Sequence, residues 1–434
     1  MRKKILSAAL ILAMTATAFT GCGGGSSSGR EATDFDASKI NFDPGVELTK
    51  DKITLTVWES AQGPDEFIRT AGKKFEEKYP NIKINYVNVE STDANSKIAM
   101  DGPAGTGADL FATAHNNSGV MAKGGYIEPV PAEMIDKVKA SCTESAFAGA
   151  TLNTADGNSV VYGYPVSVET YALFYNKKLI KKEEIPTTMA DLATFIKDYN
   201  SSHSEKAFLF DSGNAYYSVM FTSSPTNKLY GEKGNDIKNT YMNSDEAVAQ
   251  MADFVALSEA IGLKSGDISY TSNDALFSAG KLAMNISGAW NIPAFQEAGV
   301  DFGITTIPSL TGSTQPPTNF MGVRCMFVSA YSEHKNEAAA FALWLMTEEM
   351  QQVRCELTST LPARDGILDK IDDAEIKEHL GAIQEQIKYS YPMPSMPQTS
   401  LFWSAYGTAY GNIWNGEATD IKSELDKANA TATK

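Results

Sequence analysis

Histidine is scarce in this chain: His115, His203, His334 and His379 are the only four, and they lie far apart. A multi-histidine metal centre needs ligands at short, recurring spacings, so this scatter argues against one. Cysteine is equally sparse. Beyond Cys22 there remain Cys142, Cys325 and Cys355, an odd number that fits poorly with a disulfide scaffold. Buried thiols are the expectation, with a Cys325–Cys355 bridge left open. Positive charge is short as well: 37 Lys+Arg stand against 53 Asp+Glu, a formal net charge of −16. Phosphate backbones repel such a chain, which speaks against general nucleic-acid binding. No apolar run reaches the ~20 residues of a membrane-spanning helix. A GxxxxGK[ST] phosphate loop, a strand-linked GxGxxG, a GxSxG elbow and an HExxH motif are all missing. Carboxylates are too numerous to nominate a catalytic pair from sequence.

What is present begins with an export signal. Arg2, Lys3 and Lys4 precede an apolar stretch from Ile5 to Phe19. Gly21-Cys22 and a Gly/Ser-rich run follow, an arrangement that resembles a bacterial lipobox. Phe19 departs from the usual leucine at the third position before the cysteine. The resemblance implies diacylation of Cys22 and a lipid-anchored protein on the outer side of the cell membrane, since two or more chains anchor stably. A plain secretory signal with an incidental cysteine is the alternative. Residues 23–50, Gly/Ser-rich and then polar and acidic, read as a flexible tether.

The body is ordinary for a folded protein, with 43% hydrophobic and 21% charged residues. Its 434 residues suggest two or three domains at ~150 residues each. Ile53 to Trp58 reads as a strand. Gly63-Pro64 breaks it, and Phe67, Ile68, Ala71, Phe75 and Tyr79 recur at helical spacing. Ile82, Ile84 and Tyr86 alternate as a second strand, and Ala108 to Ala112 forms a third. This β-α-β-α-β order predicts a parallel sheet covered by helices on both faces. Gly157-Asn158 predicts a hairpin turn. Further helices are expected over 191–199, 244–261, 400–414 and 418–428, with an amphipathic one over 337–349. Strands are expected over 170–175, 281–286 and 302–306.

Four segments in order carry a specific resemblance. They are Thr56-Val57-Trp58 through Glu76; Ala108-Asp109-Leu110-Phe111 with Ala114-His115 and Gly124 to Pro129; Tyr164 to Glu169 with Leu173 to Lys177; and Phe277 to Met284 with Gly288-Ala289-Trp290, Met393 to Gln398 and Phe402-Trp403. Together they resemble the extracellular solute-binding proteins of carbohydrate ABC importers, the maltose/maltodextrin-binding group above all. The resemblance covers residues ~51–430. It implies an α/β fold of two lobes around a ligand cleft, with several hinge crossings near Val168–Thr170, Met321–Val323 and Asp372–Glu375. The implied lobes are 51–168 plus 323–373, and 169–322 plus 374–434. The implied partners are an oligosaccharide and an ABC permease; no cofactor is called for, and a monomer is expected.

Flat sugar faces call for aromatic planes, and the hydroxyl rim calls for amides and carboxylates. By resemblance, Trp290 and Trp403 match stacking tryptophans, Tyr216 and Tyr217 match paired aromatic stackers, and Glu169 matches a carboxylate that bonds sugar hydroxyls. Gln62, Asn116, Asn117 and Asn214 fall where the group carries charged residues, and Met393 matches a packing surface. Thr113 stands where the group has a stacking tryptophan, and Ser404 and Gly407 replace an aromatic and an arginine. Trp58, inside a strand, reads as core. The expected function is oligosaccharide capture by cleft closure. A secreted glycoside hydrolase is the alternative from another class, and a two-lobed binder of a small cation is a third reading that scarce histidine weighs against.

Overall fold

A computed structural model describes residues 31–434. Cys22 and the expected signal segment lie outside the described residues. In chain order the strands are β1 (Ile53–Glu59), β2 (Ile82–Asn88), β3 (Leu110–Ala114), β4 (Thr151–Asn153), β5 (Ser159–Val161), β6 (Tyr164–Glu169) and β7 (Tyr171–Asn176). They continue as β8 (Lys206–Leu209), β9 (Leu282–Gly288), β10 (Phe302–Thr305), β11 (Asn319–Val328), β12 (Leu361–Pro362) and β13 (Ser390–Pro392).

The larger sheet runs β12-β6-β11-β3-β1-β2, with β13 also paired to β11, and organises an N-terminal lobe. The smaller runs β10-β7-β9-β8 and organises a C-terminal lobe. Each is mixed, which corrects the expected parallel sheet. Strand β1 lies parallel to β2 and β3 as the β-α-β pattern requires, but β11 runs antiparallel to both β3 and β6. The reason is that β11 enters from the other lobe, a connection no local pattern announces.

The chain steps between sheets at Thr170: β6 ends at Glu169 in the larger sheet and β7 starts at Tyr171 in the smaller. Strand β11 spans the same junction. Its Asn319 donates to the Thr170 hydroxyl and the Tyr171 carbonyl, while Gly322 pairs with Glu169. The helix Ala374–Ile387 then packs on the smaller sheet, where His379 stacks on Phe302 at 4.5 Å.

Two expectations need correction. The amphipathic helix over 337–349 is instead the helix Lys335–Trp344, buried all along Glu337–Trp344, followed by a separate helix Glu348–Thr358. Burial on every side erases the polar face that periodicity looks for. The tether fails in its second half. Residues 33–50 are a strap docked on the N-terminal lobe: Ala37 and Ile40 are buried, Thr33 bonds Glu356, and Lys78 donates to the Ile40 carbonyl. The Phe42 ring meets Trp344 at 5.2 Å and Phe75 and Tyr79 at 6.4 Å each. Polar composition hid a few apolar anchors at irregular spacing. No disulfide forms among the described residues, and Cys325 and Cys355 are both buried.

If the strap is part of the folded lobe, Phe42→Ala should cost about 2–3 kcal/mol through lost burial and ring contacts. A clear fall in Tm is expected; an unchanged Tm would show the strap to be dispensable.

Candidate ligand-binding cleft

Aromatic rings from the C-terminal lobe and the crossing strand form one connected surface. Tyr216 sits on a single helical turn, Ala215–Ser218, which Asn214 starts by accepting from the Tyr216 amide at 3.0 Å. Its ring lies 6.4 Å from Trp290 and 6.2 Å from Phe320, stacked on the latter. Phe320 in turn meets Trp403 edge-on at 5.7 Å. Trp290 follows β9 on a tight turn and is 37% exposed. Gly288 makes that possible, because a Cβ there would come within 2.2 Å of the Trp290 ring. Trp403 is half-buried near the start of the helix Thr399–Trp414. Exposed, rigid aromatic faces of this kind suit the apolar face of a sugar ring.

Two expected contacts belong beneath this surface instead. Tyr217 is buried against Tyr171 and Tyr216, and its carbonyl accepts from the Tyr171 hydroxyl at 3.1 Å. Met393 is buried too, and its backbone ties the 390s loop to Met321 and His115. Adjacent aromatics in a one-turn helix point to different sides, so only Tyr216 keeps an open edge. Asn214 spends its carbonyl oxygen on the helix cap.

The floor of the cleft is ionic. Glu169 lies over Gly322, half-buried, and burial pushes its carboxyl above the usual range against the pull of Arg324 and Arg354. Glu59, at the end of β1, is fully buried. Burial opposes its ionisation most strongly, yet the nearby guanidiniums of Arg324 and Arg354 and hydrogen bonds from Arg324 and the Ser60 amide hold it below the usual range. Arg324 forks onto both Glu59 oxygens and also donates to Ser60 Oγ at 3.0 Å and Ser91 Oγ at 2.9 Å. Arg354 Nη1 lies 3.6 Å from Glu59 Oε2, with its guanidinium 5.1 Å from the Phe67 ring centroid. Burial pushes Arg354 down to about 10. Sequence reasoning missed Glu59, Arg324, Arg354 and Phe320. The available signal was a charge closing the apolar run of β1 and another interrupting the apolar run of β11.

Next to Glu59 and Arg324, the N-terminal lobe presents loops at the carboxyl ends of β1 and β3, where open α/β sheets take ligands. Gln62 is exposed, with a left-handed φ of 63°. Asn116 is half-exposed, whereas Asn117 donates to Thr113 Oγ1 at 2.9 Å and braces the loop. Thr113, which stands where the resembled group has a tryptophan, is buried and donates to the Ser91 carbonyl. No hydrogen bond joins Gln62 or Asn116 to the aromatic surface among the described residues. A cavity of about 550 Å³, lined by Val168, Leu361, Arg364, Lys388 and Ser390 among others, contains none of the expected site residues.

Residues 70–382 match the family model described as bacterial extracellular solute-binding protein. The chain belongs to this family. The solute-binding protein is 30% identical to the galactooligosaccharide-binding protein of Bacillus subtilis (strain 168), over 87% of this chain and 88% of the relative. It is 25% identical to a maltooligosaccharide ABC transporter solute-binding lipoprotein of Streptococcus pneumoniae (strain ATCC BAA-255 / R6), over 80% of this chain and 81% of the relative. Among solved structures, a cyclo/maltodextrin-binding protein complexed with maltotetraose superposes with a TM-score of 0.76 at 25% identity, covering 89% of this chain and 98% of that one. The two-lobed fold expected from sequence is therefore the fold of the solute-binding protein.

One buried imidazole holds the cleft's back wall. Nδ1 of His115 accepts from the Val323 amide at 3.0 Å, and Nε2–H donates to the Met393 carbonyl at 2.9 Å. This pairing needs the neutral ring. Burial pushes its pKa down to about 4, from 6.5 in the unfolded chain. The stability it contributes is whole above pH 6.5 and declines as pH falls toward 4, because only the unfolded chain takes up the proton in that window. Between pH 7 and pH 5 the protein should lose up to about 2 kcal/mol on this account. Denaturant titrations of wild type and His115→Gln test it: the variant should start less stable and lose less over the same interval. Equal losses would remove His115 as the source.

Proposed function

We propose that this protein is the oligosaccharide receptor of an ABC importer, tethered by a diacylated Cys22 to the outer side of the cell membrane and acting as a monomer. The carrying observation is the connected aromatic surface Tyr216–Trp290, with Trp403 joined through Phe320, set beside the Glu169 carboxylate. Rings to cover sugar faces and a carboxyl group to bind hydroxyls are what a neutral oligosaccharide requires. The printed functions of the relatives support the reading, because they bind galacto- and malto-oligosaccharides and one is a transporter lipoprotein. The family and these relatives are solute-binding proteins, and none of them supports the hydrolase alternative.

In this reading Trp290, Trp403 and Tyr216 stack on the ligand from the C-terminal lobe, and Gln62 and Asn116 reach it from the N-terminal lobe. Glu169 bonds hydroxyls at the crossing. The lobes 51–168 plus 323–373 and 169–322 plus 374–434 close as rigid bodies about the crossings, so that closed-state contacts slow release.

Calorimetric titration with malto- and galacto-oligosaccharides tests the function. Trp290→Ala and Trp403→Ala should each weaken binding by about 1–3 kcal/mol, roughly 5- to 150-fold, with the fold intact. Unchanged affinity in both would remove the platform, and appearance of cleaved sugar would favour a hydrolase. Anchoring has its own test. Cys22→Ala should move the protein from the membrane fraction to the medium, and unchanged partition would refute the lipobox.

A further inference from the structure

Resting on the oligosaccharide reading, we propose that Arg324 is a further sugar-contacting residue, which works with Glu169 to read a pair of adjacent hydroxyls on the ring held by the aromatic surface. Strand β11 carries the argument. Its alternate residues Phe320, Gly322 and Arg324 share one face. Phe320 supports Tyr216 and Trp403. At Gly322 an added Cβ would lie 2.8 Å from Glu169 Cγ, so the glutamate crosses bare backbone there. Arg324 follows about 7 Å further along the same face, at two residues of strand rise. Aromatic plane, acceptor and donor thus succeed one another along a single strand.

The donors are not exhausted. A guanidinium has five N–H groups. In Arg324, Nε and Nη2 serve Glu59 and Ser60, and Nη1 serves Ser91. One Nη1 N–H remains, and the side chain is 18% exposed. Glu169 is likewise half-buried, and no hydrogen bond among the described residues ends on its carboxylate. Neutralising Glu59 does not by itself explain Arg324, because the buried Arg354 already lies 3.6 Å from that carboxylate. With two guanidiniums around one buried acid, Glu169 is the next carboxylate whose charge acts on both. A diol spanning Glu169 and Arg324 can donate a hydrogen bond to the acid and accept a charge-assisted one from the guanidinium. Glu59, Ser60 and Ser91 hold the fork in place before ligand arrives, which lowers the ordering cost of binding.

The test uses maltotriose and a β-linked galactotriose as probes, with the mono-deoxy derivatives of whichever binds more tightly. Arg324→Lys keeps the charge beside Glu59 and loses the fork. It should weaken the tighter probe at least tenfold in a chain that still unfolds cooperatively, at a somewhat lower Tm. One deoxy derivative should bind wild type poorly and suffer no further loss in R324K, because the hydroxyl it lacks is the one Arg324 contacts. Should R324K fail to fold, Arg324→Gln, which leaves Glu59 with Arg354 as its counter-charge, takes its place and must show the same selective loss. Wild-type affinity in a folded variant, or an equal loss against every deoxy derivative, overturns the proposal; the latter marks Arg324 as structural support. If wild type binds neither trisaccharide, the oligosaccharide reading itself fails, and that result is distinct from either outcome for Arg324.

Discussion

A carboxylate shut away from water must meet positive charge within a few ångströms or give up its ionisation. Glu59 meets it twice, from Arg324 on β11 and from Arg354 on the helix Glu348–Thr358. That one requirement joins three distant stretches of chain. It fixes the end of β1, the first strand of the body, against the strand that enters from the other lobe. Removing Glu59 from such a buried set costs far more than the set contributes, because two guanidiniums are left uncompensated. The ionic floor therefore acts as a constraint on geometry: loops at the ends of β1 and β3, and the junction at Glu169, are placed relative to it.

The aromatic surface shows how burial separates support from contact. Tyr216 and Tyr217 are neighbours in sequence and equal in chemistry. One half-buried ring touches Trp290 and Phe320, and the other is packed into the lobe. Phe320 has no exposure at all, yet it is the ring that couples Tyr216 to Trp403. A binding surface of this kind is two layers deep, and the lower layer sets the planes of the upper.

Much of the fold could be read from sequence. Strand β1, the hairpin at Gly157-Asn158 and the helices Asp245–Ile261 and Thr399–Trp414 stand within one or two residues of where periodicity and turn chemistry put them. Resemblance nominated Glu169, Trp290 and Trp403, and the structure joins the two tryptophans through Tyr216 and Phe320. Several features were illegible for physical reasons. The direction of β11 depends on a connection from the other lobe, and local pattern is blind to it. The fully buried helix Lys335–Trp344 has no polar stripe. Glu59, Arg324 and Arg354 are far apart in sequence and meet only when β1 and β11 flank β3 and the helix Glu348–Thr358 packs beside them. Tyr217 and Met393 belong to residue types that suit both core and ligand contact, and only burial distinguishes the two.

The docked strap bears on how the molecule would be moored. If Cys22 is acylated as proposed, the nine residues Gly23 to Glu31 separate it from Ala32, which already packs against the core. Nine residues can span at most about 30 Å. The strap docks on the N-terminal lobe, so under the proposed anchoring that lobe would be the one held near the membrane plane. Closure, as proposed, would then swing the C-terminal lobe, with its tryptophans, toward a stationary half. A permease waiting at the bilayer would meet a receptor whose lobes differ in mobility before any ligand arrives.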